Sequence, residues 1–248
     1  MRDSPARVVV LLSAALAMLG GVCSGQETAP QAPGEEVRVE KRYYDEEQTR
    51  LRLEMPMLDG IPHGVTKFHY ESGKLKEAVP FDHGVVHGLW KTFYEDGSPE
   101  TEVPYVKGEI TGTVRRFYPD GRPEFDVEFK DGERHGAWRY YGPTGGLEQE
   151  MHYKQGQKEG IERRFFEDGG LLSETPWKDG RRSGVARIYT HGEKLIWEKP
   201  YENDKLHGVV KSYWPETGRI HSEETYREGE EVGKGKFYDP DGNVQEEK

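Results

Sequence analysis

The chain has 248 residues, of which 33% are hydrophobic and 33% charged, with 31 glycines and a formal net charge of -11. That is too little apolar material for the thick core of a large globule. The acidic excess argues against a nucleic-acid partner, because neutralising phosphates takes a basic surplus, and a single cysteine leaves no disulfide framework.

Met1 to Arg7 carries two arginines, residues 8–19 (VVVLLSAALAML) form an apolar run of twelve, and small residues follow as far as Gly25. This pattern predicts a signal peptide over 1–25, too short to span a bilayer, and hence an exported protein, periplasmic or secreted. The segment also resembles a lipoprotein signal ending at Cys23, although Val22 stands where that pattern wants Gly, Ala or Ser. Residues 26–40 are rich in Pro, Ala and Glu and read as a linker. The remainder, 41–248, reads as one repeat domain.

Within it, glycines recur every 24 residues at Gly64, Gly88, Gly112, Gly136, Gly160, Gly184 and Gly208, and once after 25 at Gly233, because the turn Pro215-Glu216-Thr217-Gly218 holds one extra residue. A fixed period of this length signals a repeat architecture. Positions are counted below from each leading glycine as zero.

At position nine stand Gly73, Gly97, Gly121, Gly145, Gly169 and Gly242, often preceded by Asp. Asp-Gly between alternating runs predicts a two-residue type I′ hairpin turn. With that turn, residues whose positions sum to 17 face each other. Position 3 is basic in every unit (Lys67, Lys91, Arg115, Arg139, Arg163, Arg187, Lys211, Lys236), and position 14 is acidic in all but one (Ala78, then Glu102, Asp126, Glu150, Glu174, Glu198, Glu223, Glu247). The two columns are expected to pair within each hairpin as a charge ladder, so that Glu150→Arg should rescue much of what Arg139→Glu costs.

Strand alternation sorts the other columns. Positions 2, 6, 11, 15 and 17 fall on a greasier face, with position 6 opposite 11 and position 2 opposite 15. The ladder lies on the other face, beside a column of aromatics at position 5: Phe93, Phe117, Tyr141, Phe165, Tyr189, Tyr213 and Tyr238. A second turn is expected at Gly84, Gly108, Gly132, Gly156, Gly180 and Gly229, with Asp204 in one unit, since Asp tolerates the left-handed conformation. The histidines just before the leading glycines (His63, His87, His135, His207) alternate with Thr111, Glu159, Ser183 and Val232. That irregularity reads as a polar turn residue and not a zinc row, which would need three or four convergent ligands.

Units such as GLWKTFYEDGSPETEVPYVKGEIT (88–111) and GTVRRFYPDGRPEFDVEFKDGERH (112–135) resemble the bacterial variant of the MORN repeat: glycine, four residues, two aromatics, a turn ending in glycine, then an aromatic, two residues and glycine. The resemblance covers residues 57–248, with a partial leading unit in 55–63. Departures are Gly192, one place early, and Gly142 and Thr190 in the slot of the second aromatic. The resemblance implies an all-β fold, an elongated single-layer antiparallel sheet of tandem β-hairpins. It also implies a role in protein interaction or membrane-proximal scaffolding; bacterial members often carry an antitoxin-like label.

No nucleophile stands with a base and no glycine loop precedes a helix, so no catalytic residue, cofactor or metal is expected. The candidate binding residues are the aromatics Phe93, Phe117, Tyr141, Phe165, Tyr189 and Tyr213 with Arg115, Arg139 and Arg163. Their expected partner is another protein or an envelope component, with peripheral membrane association as an option and no nucleic acid. An alternative is stacking of envelope carbohydrate on the aromatic column. Nothing in the sequence sets the oligomeric state.

Overall fold

The computed structural model describes residues 37–247. The expected signal peptide, Cys23 and the linker as far as Glu36 lie outside the described residues. Strand structure begins at Val37, four residues inside the segment read as linker, and Val37–Tyr43 pairs with Leu51–Leu58 as a full leading hairpin.

Among the described residues there are 24 strands and no helix, joined as one antiparallel sheet. Each longer strand pairs with the longer strands before and after it, and the two-residue strands only with the strand before, so the sheet is a meander, as the pairings of Gly88–Phe93 with Pro99–Val106, and of the latter with Gly112–Phe117 and Glu109–Ile110, illustrate. The all-β expectation of successive hairpins holds.

The type I′ geometry expected of the first turn belongs to the second. At Asp120-Gly121 only the glycine is left-handed. The Tyr118 amide donates to the Arg122 carbonyl at 2.8 Å and the Gly121 amide to the Tyr118 carbonyl at 2.9 Å, which closes a three-residue loop with glycine at its left-handed bulge position. This first turn is therefore not type I′. The two-residue turn with both central residues at positive φ is the second one, for instance Asp131 at 51° and Gly132 at 78°. His83, Lys107, Gln155, Asp179, Asn203 and Glu228 occupy the slot of Asp131, and Asp204 at 71° replaces a glycine as expected. Where Gly192 comes one place early, Glu193 takes the left-handed position instead.

A three-residue loop alone would set the register to a sum of 16, and near the turn it does: Phe117 faces Pro123. The register then shifts by one, leaving Glu124 as an extra residue, so that Arg116 faces Phe125 and Arg115 faces Asp126. The sum of 17 thus holds for positions 0 to 4, but through a bulge and not through the turn. Position 11 consequently lies opposite position 5 and not position 6, which places it with the ladder and not with the greasier face.

A second irregularity lies at each leading glycine. The Cβ of an alanine at Gly184 (φ +113°) would stand 3.0 Å from Pro176 Cγ, and at Gly88 (φ +114°) 3.2 Å from Pro80 Cγ. Proline has no N–H for the ladder, so the facing chain detours around it. With Glu128 and His152 in the proline slot, the facing strands run unbroken as Glu133–Tyr141 and Gln157–Phe165. The last unit has Thr225 there and is interrupted all the same, next to Gly233 and Gly235.

The greasier face is buried as alternation predicts. Trp90, Val114, Trp138, Ala186 and Val210 at position 2 and Val79, Val103, Val127 and Met151 at position 15 are all buried. The apolar part of this core is concentrated in residues 79–153: after Tyr153 its buried hydrophobic members are Ala186 and Val210 alone among the described residues. Stability in a stack of units is a sum of local terms, so backbone amides of Pro99–Val106 and Pro123–Lys130 should exchange with deuterium more slowly than those of Ile220–Arg227 and Lys236–Tyr238. Slower exchange in the last strands would show that burial does not set local stability here.

Candidate functional site

The charged columns form a row that runs across the sheet from unit to unit, and not a set of separate hairpin pairs. Because the register of each acid is fixed on both sides, every position-14 residue before the last strand lies between two position-3 residues. Asp126 faces Arg115 in its own hairpin and Arg139 in the next, and Glu150 lies between Arg139 and Arg163. The row runs from Lys41, which faces Glu54, to Lys236, which faces Glu247, and is interrupted by Ala78.

Ion pairs form in both directions. Arg163 bridges Glu174 at 3.0 Å and Glu150 at 3.1 Å, and these two carboxylates hold its guanidinium above the usual arginine range. Arg139 turns to Asp126 at 3.2 Å, while Arg115 reaches Glu102 only at 4.0 Å. Lys91–Glu102, Arg187–Glu198 and Lys211–Glu223 close within their own units.

The position-5 aromatics Phe93, Phe117, Tyr141, Phe165, Tyr189 and Tyr213 lie half-buried along the same face. From Tyr189 onward they are tyrosines whose hydroxyls reach the ladder acid of the preceding unit: Tyr213 donates to Glu198 at 2.8 Å and Tyr238 to Glu223 at 3.0 Å. Burial, then that hydrogen bond to Glu198, pushes the Tyr213 hydroxyl up to about 12. The nine candidate residues therefore share one face, with the aromatic hydroxyls and the guanidiniums turned toward carboxylates.

On the other side of the charge row, at position 1, lies a column that the sequence reading passed over. Val65, Leu89, Ile161, Val185 and Val209 are 38–43% exposed and, in four of these five, face a proline, as Val65 faces Pro80 and Ile161 faces Pro176. Thr113 and Ala137 interrupt it. The signal was available as a period-24 column of aliphatics, but its exposure depends on the face it occupies.

Two further arrangements on the buried face were also missed. Arg134 lies over the Tyr153 ring at 4.3 Å, Lys158 over Trp177 at 4.1 Å and Arg182 over Tyr201 at 4.3 Å, a cation–aromatic stack advancing one unit at a time. Glu162 occupies the position-2 slot that holds Trp138 one unit earlier, and is buried there. It accepts from Gln149 at 2.7 Å, Lys158 at 2.9 Å and Arg164 at 3.0 Å. Burial by itself raises its carboxyl, but Lys158 and Arg164 outweigh that and hold it below the ordinary value.

With this geometry in view, five segments match the family model described as MORN repeat variant: residues 62–83, 86–107, 134–155, 158–179 and 231–248. They fall on the period-24 grid and together make up less than half of the chain. Comparison with curated proteins gives no match. Among solved structures, the crystal structure of TcdB2-TccC3-Cdc42 is similar at 12% identity with a TM-score of 0.20. That of TcdB2-TccC3 without its hypervariable C-terminal region gives 14% and 0.19. In both, the match covers 84% of this chain but only 14% of the other.

Two outcomes follow from the row and from Glu162. Arg139→Glu sets three carboxylates side by side and should lower stability by about 1 kcal/mol. Adding Glu150→Arg only moves the mismatch, since it opposes Arg163, so thermal melts should show no rescue; substantial rescue would mean that the hairpins pair independently. For Glu162, a depressed folded-state value contributes stability that is present above the unfolded value of 4.5 and lost as pH falls through the lower folded value. Glu162→Gln should therefore lose stability at neutral pH and flatten the acid limb of the stability curve, read by denaturant titration from pH 7 downward.

Proposed function

We propose that the chain is a non-enzymatic scaffold that docks another protein or a membrane-proximal component of the cell envelope on the ladder face of its sheet. The coarse part of this reading, a repeat β-sheet built from MORN-type units, is supported by the family match and the fold. MORN arrays are generally thought to mediate protein or membrane contacts, and the export signal would place this one in the periplasm or outside the cell.

The observation that carries the choice of face is the exposed aliphatic column Val65, Leu89, Ile161, Val185 and Val209 beside a charge row that is already neutralised. An apolar strip edged by paired charges favours a protein surface of matching pattern. It favours anionic lipid less, because each ladder cation has a carboxylate at hand. The same repetition argues against catalysis, which needs unlike groups gathered once. The carbohydrate alternative gains no support from the position-5 rings: they are half-buried, and the hydroxyls of Tyr213 and Tyr238 are spent on ladder carboxylates.

Affinity capture from envelope extract tests this with the intact chain and an Ile161→Lys/Val185→Lys/Val209→Lys variant of unchanged melting temperature. A protein retained by the first and lost by the second is the expected result. Equal retention would move the docking surface to the other face, and flotation of the protein with anionic vesicles alone would favour the membrane.

A further inference from the structure

Two of the histidines before the leading glycines, His63 and His87, have a structural task that their irregular recurrence concealed. In three units the side chain in this slot reaches across to the next unit's type I′ turn and accepts the amide N–H of its first left-handed residue: His63 Nδ1 from His83 at 3.3 Å, His87 Nδ1 from Lys107 at 3.4 Å, Glu159 from Asp179 at 3.0 Å. Any acceptor of suitable length serves, which is why His and Glu interchange. At the first of these contacts the residues that meet are of a different kind.

There the left-handed turn residue is itself a histidine, and an aspartate precedes it. His83 Nδ1 lies 2.6 Å from Asp82 Oδ1, and His63 Nδ1 3.6 Å from the same oxygen. The two imidazoles sit edge to face with centroids 4.8 Å apart, and one donor atom from each of the three residues lies within 4.8 Å of the others. Elsewhere the slot of Asp82 holds Val106, Lys130, Lys154, Lys178, Glu202 or Arg227. Where it is acidic, at Glu202, Ser183 and Asn203 replace the two histidines. The other units therefore do not repeat the constellation.

We propose that His63, Asp82 and His83 form a binding site for one divalent transition-metal ion of the zinc, nickel or copper class, clipping the leading unit to the one that follows it. Two imidazoles and a single carboxylate suit these ions, whereas calcium and magnesium require more oxygen donors. Bonds of about 2.0–2.1 Å in tetrahedral geometry place donors roughly 3.3 Å apart, a distance that modest rotation of exposed rings achieves. The backbone is already set. The His63 amide donates to Pro56 at 3.0 Å and the Gly84 amide to Pro62 at 2.7 Å, so the ion orders side chains and not loops. Binding exchanges the long 3.3 Å amide contact of His63 for a metal bond and leaves the fourth position to water, since all three side chains are more than a third exposed. The site does not depend on the docking role proposed above.

Titration of the full chain with zinc, and separately nickel, by calorimetry is the test, with a parallel melting series. One equivalent should bind and raise the melting temperature. Affinity for that equivalent should fall about tenfold or more in His83→Ala and in Asp82→Asn, and calcium should produce neither effect. All three side chains are exposed, so both variants should fold. No binding of zinc or nickel, or binding unchanged in both variants and hence located at other histidines, would overturn the proposal.

Discussion

The constraint on which the structure depends is the register between neighbouring strands, held constant from one hairpin to the next. Two unlike turns maintain it. The first turn is a three-residue loop whose single left-handed residue is glycine, corrected one residue later by a bulge; the second is a two-residue turn with both residues left-handed. A one-residue slip anywhere would send every following side chain to the opposite face. The extra residue in the turn at Trp214 is contained for that reason: Lys211 still meets Glu223 and Ser212 still meets Ser222.

Constant register has a consequence that no single hairpin shows. A column that pairs with its partner inside the unit must also meet the partner of the preceding unit, so alternating columns merge into a row that crosses the sheet. Where one group serves two partners, as Arg163 does for Glu150 and Glu174 and Glu54 for Lys41 and Lys67, the net cost of holding any one pair falls, because a side chain already ordered by one neighbour loses little more for the second. The individual contributions remain small, since the pairs are partly exposed. What the row supplies is a face on which charge is balanced locally, leaving the aliphatic column beside it as the apolar feature available to a partner.

The buried face changes character along the chain. From Val79 to Tyr153 it is apolar, and beyond it the same columns carry Glu162, Thr175 and Lys199, with cations stacked on aromatic rings. Burying Glu162 among Gln149, Lys158 and Arg164 satisfies the charge, but adds less than a tryptophan in the same slot would. The two halves thus share one backbone plan and differ in how firmly it is held.

Much of this was legible in the sequence, because a period of 24 repeated many times averages out local ambiguity. The all-β class, the hairpin succession, the acid–base columns and the buried positions 2, 15 and 17 all follow from residue type and alternation. The turn types did not: Asp-Gly suits either geometry, and only the hydrogen bonds of Tyr118 with Arg122 and Gly121 settle which residue is left-handed. Pairing across units, the exposure of Val65 and Leu89, and the meeting of His63 with Asp82 and His83 likewise waited on tertiary structure. They join residues from different units or different slots, and a column-by-column reading compares like with like, whereas contact in a sheet is decided by which strands lie side by side.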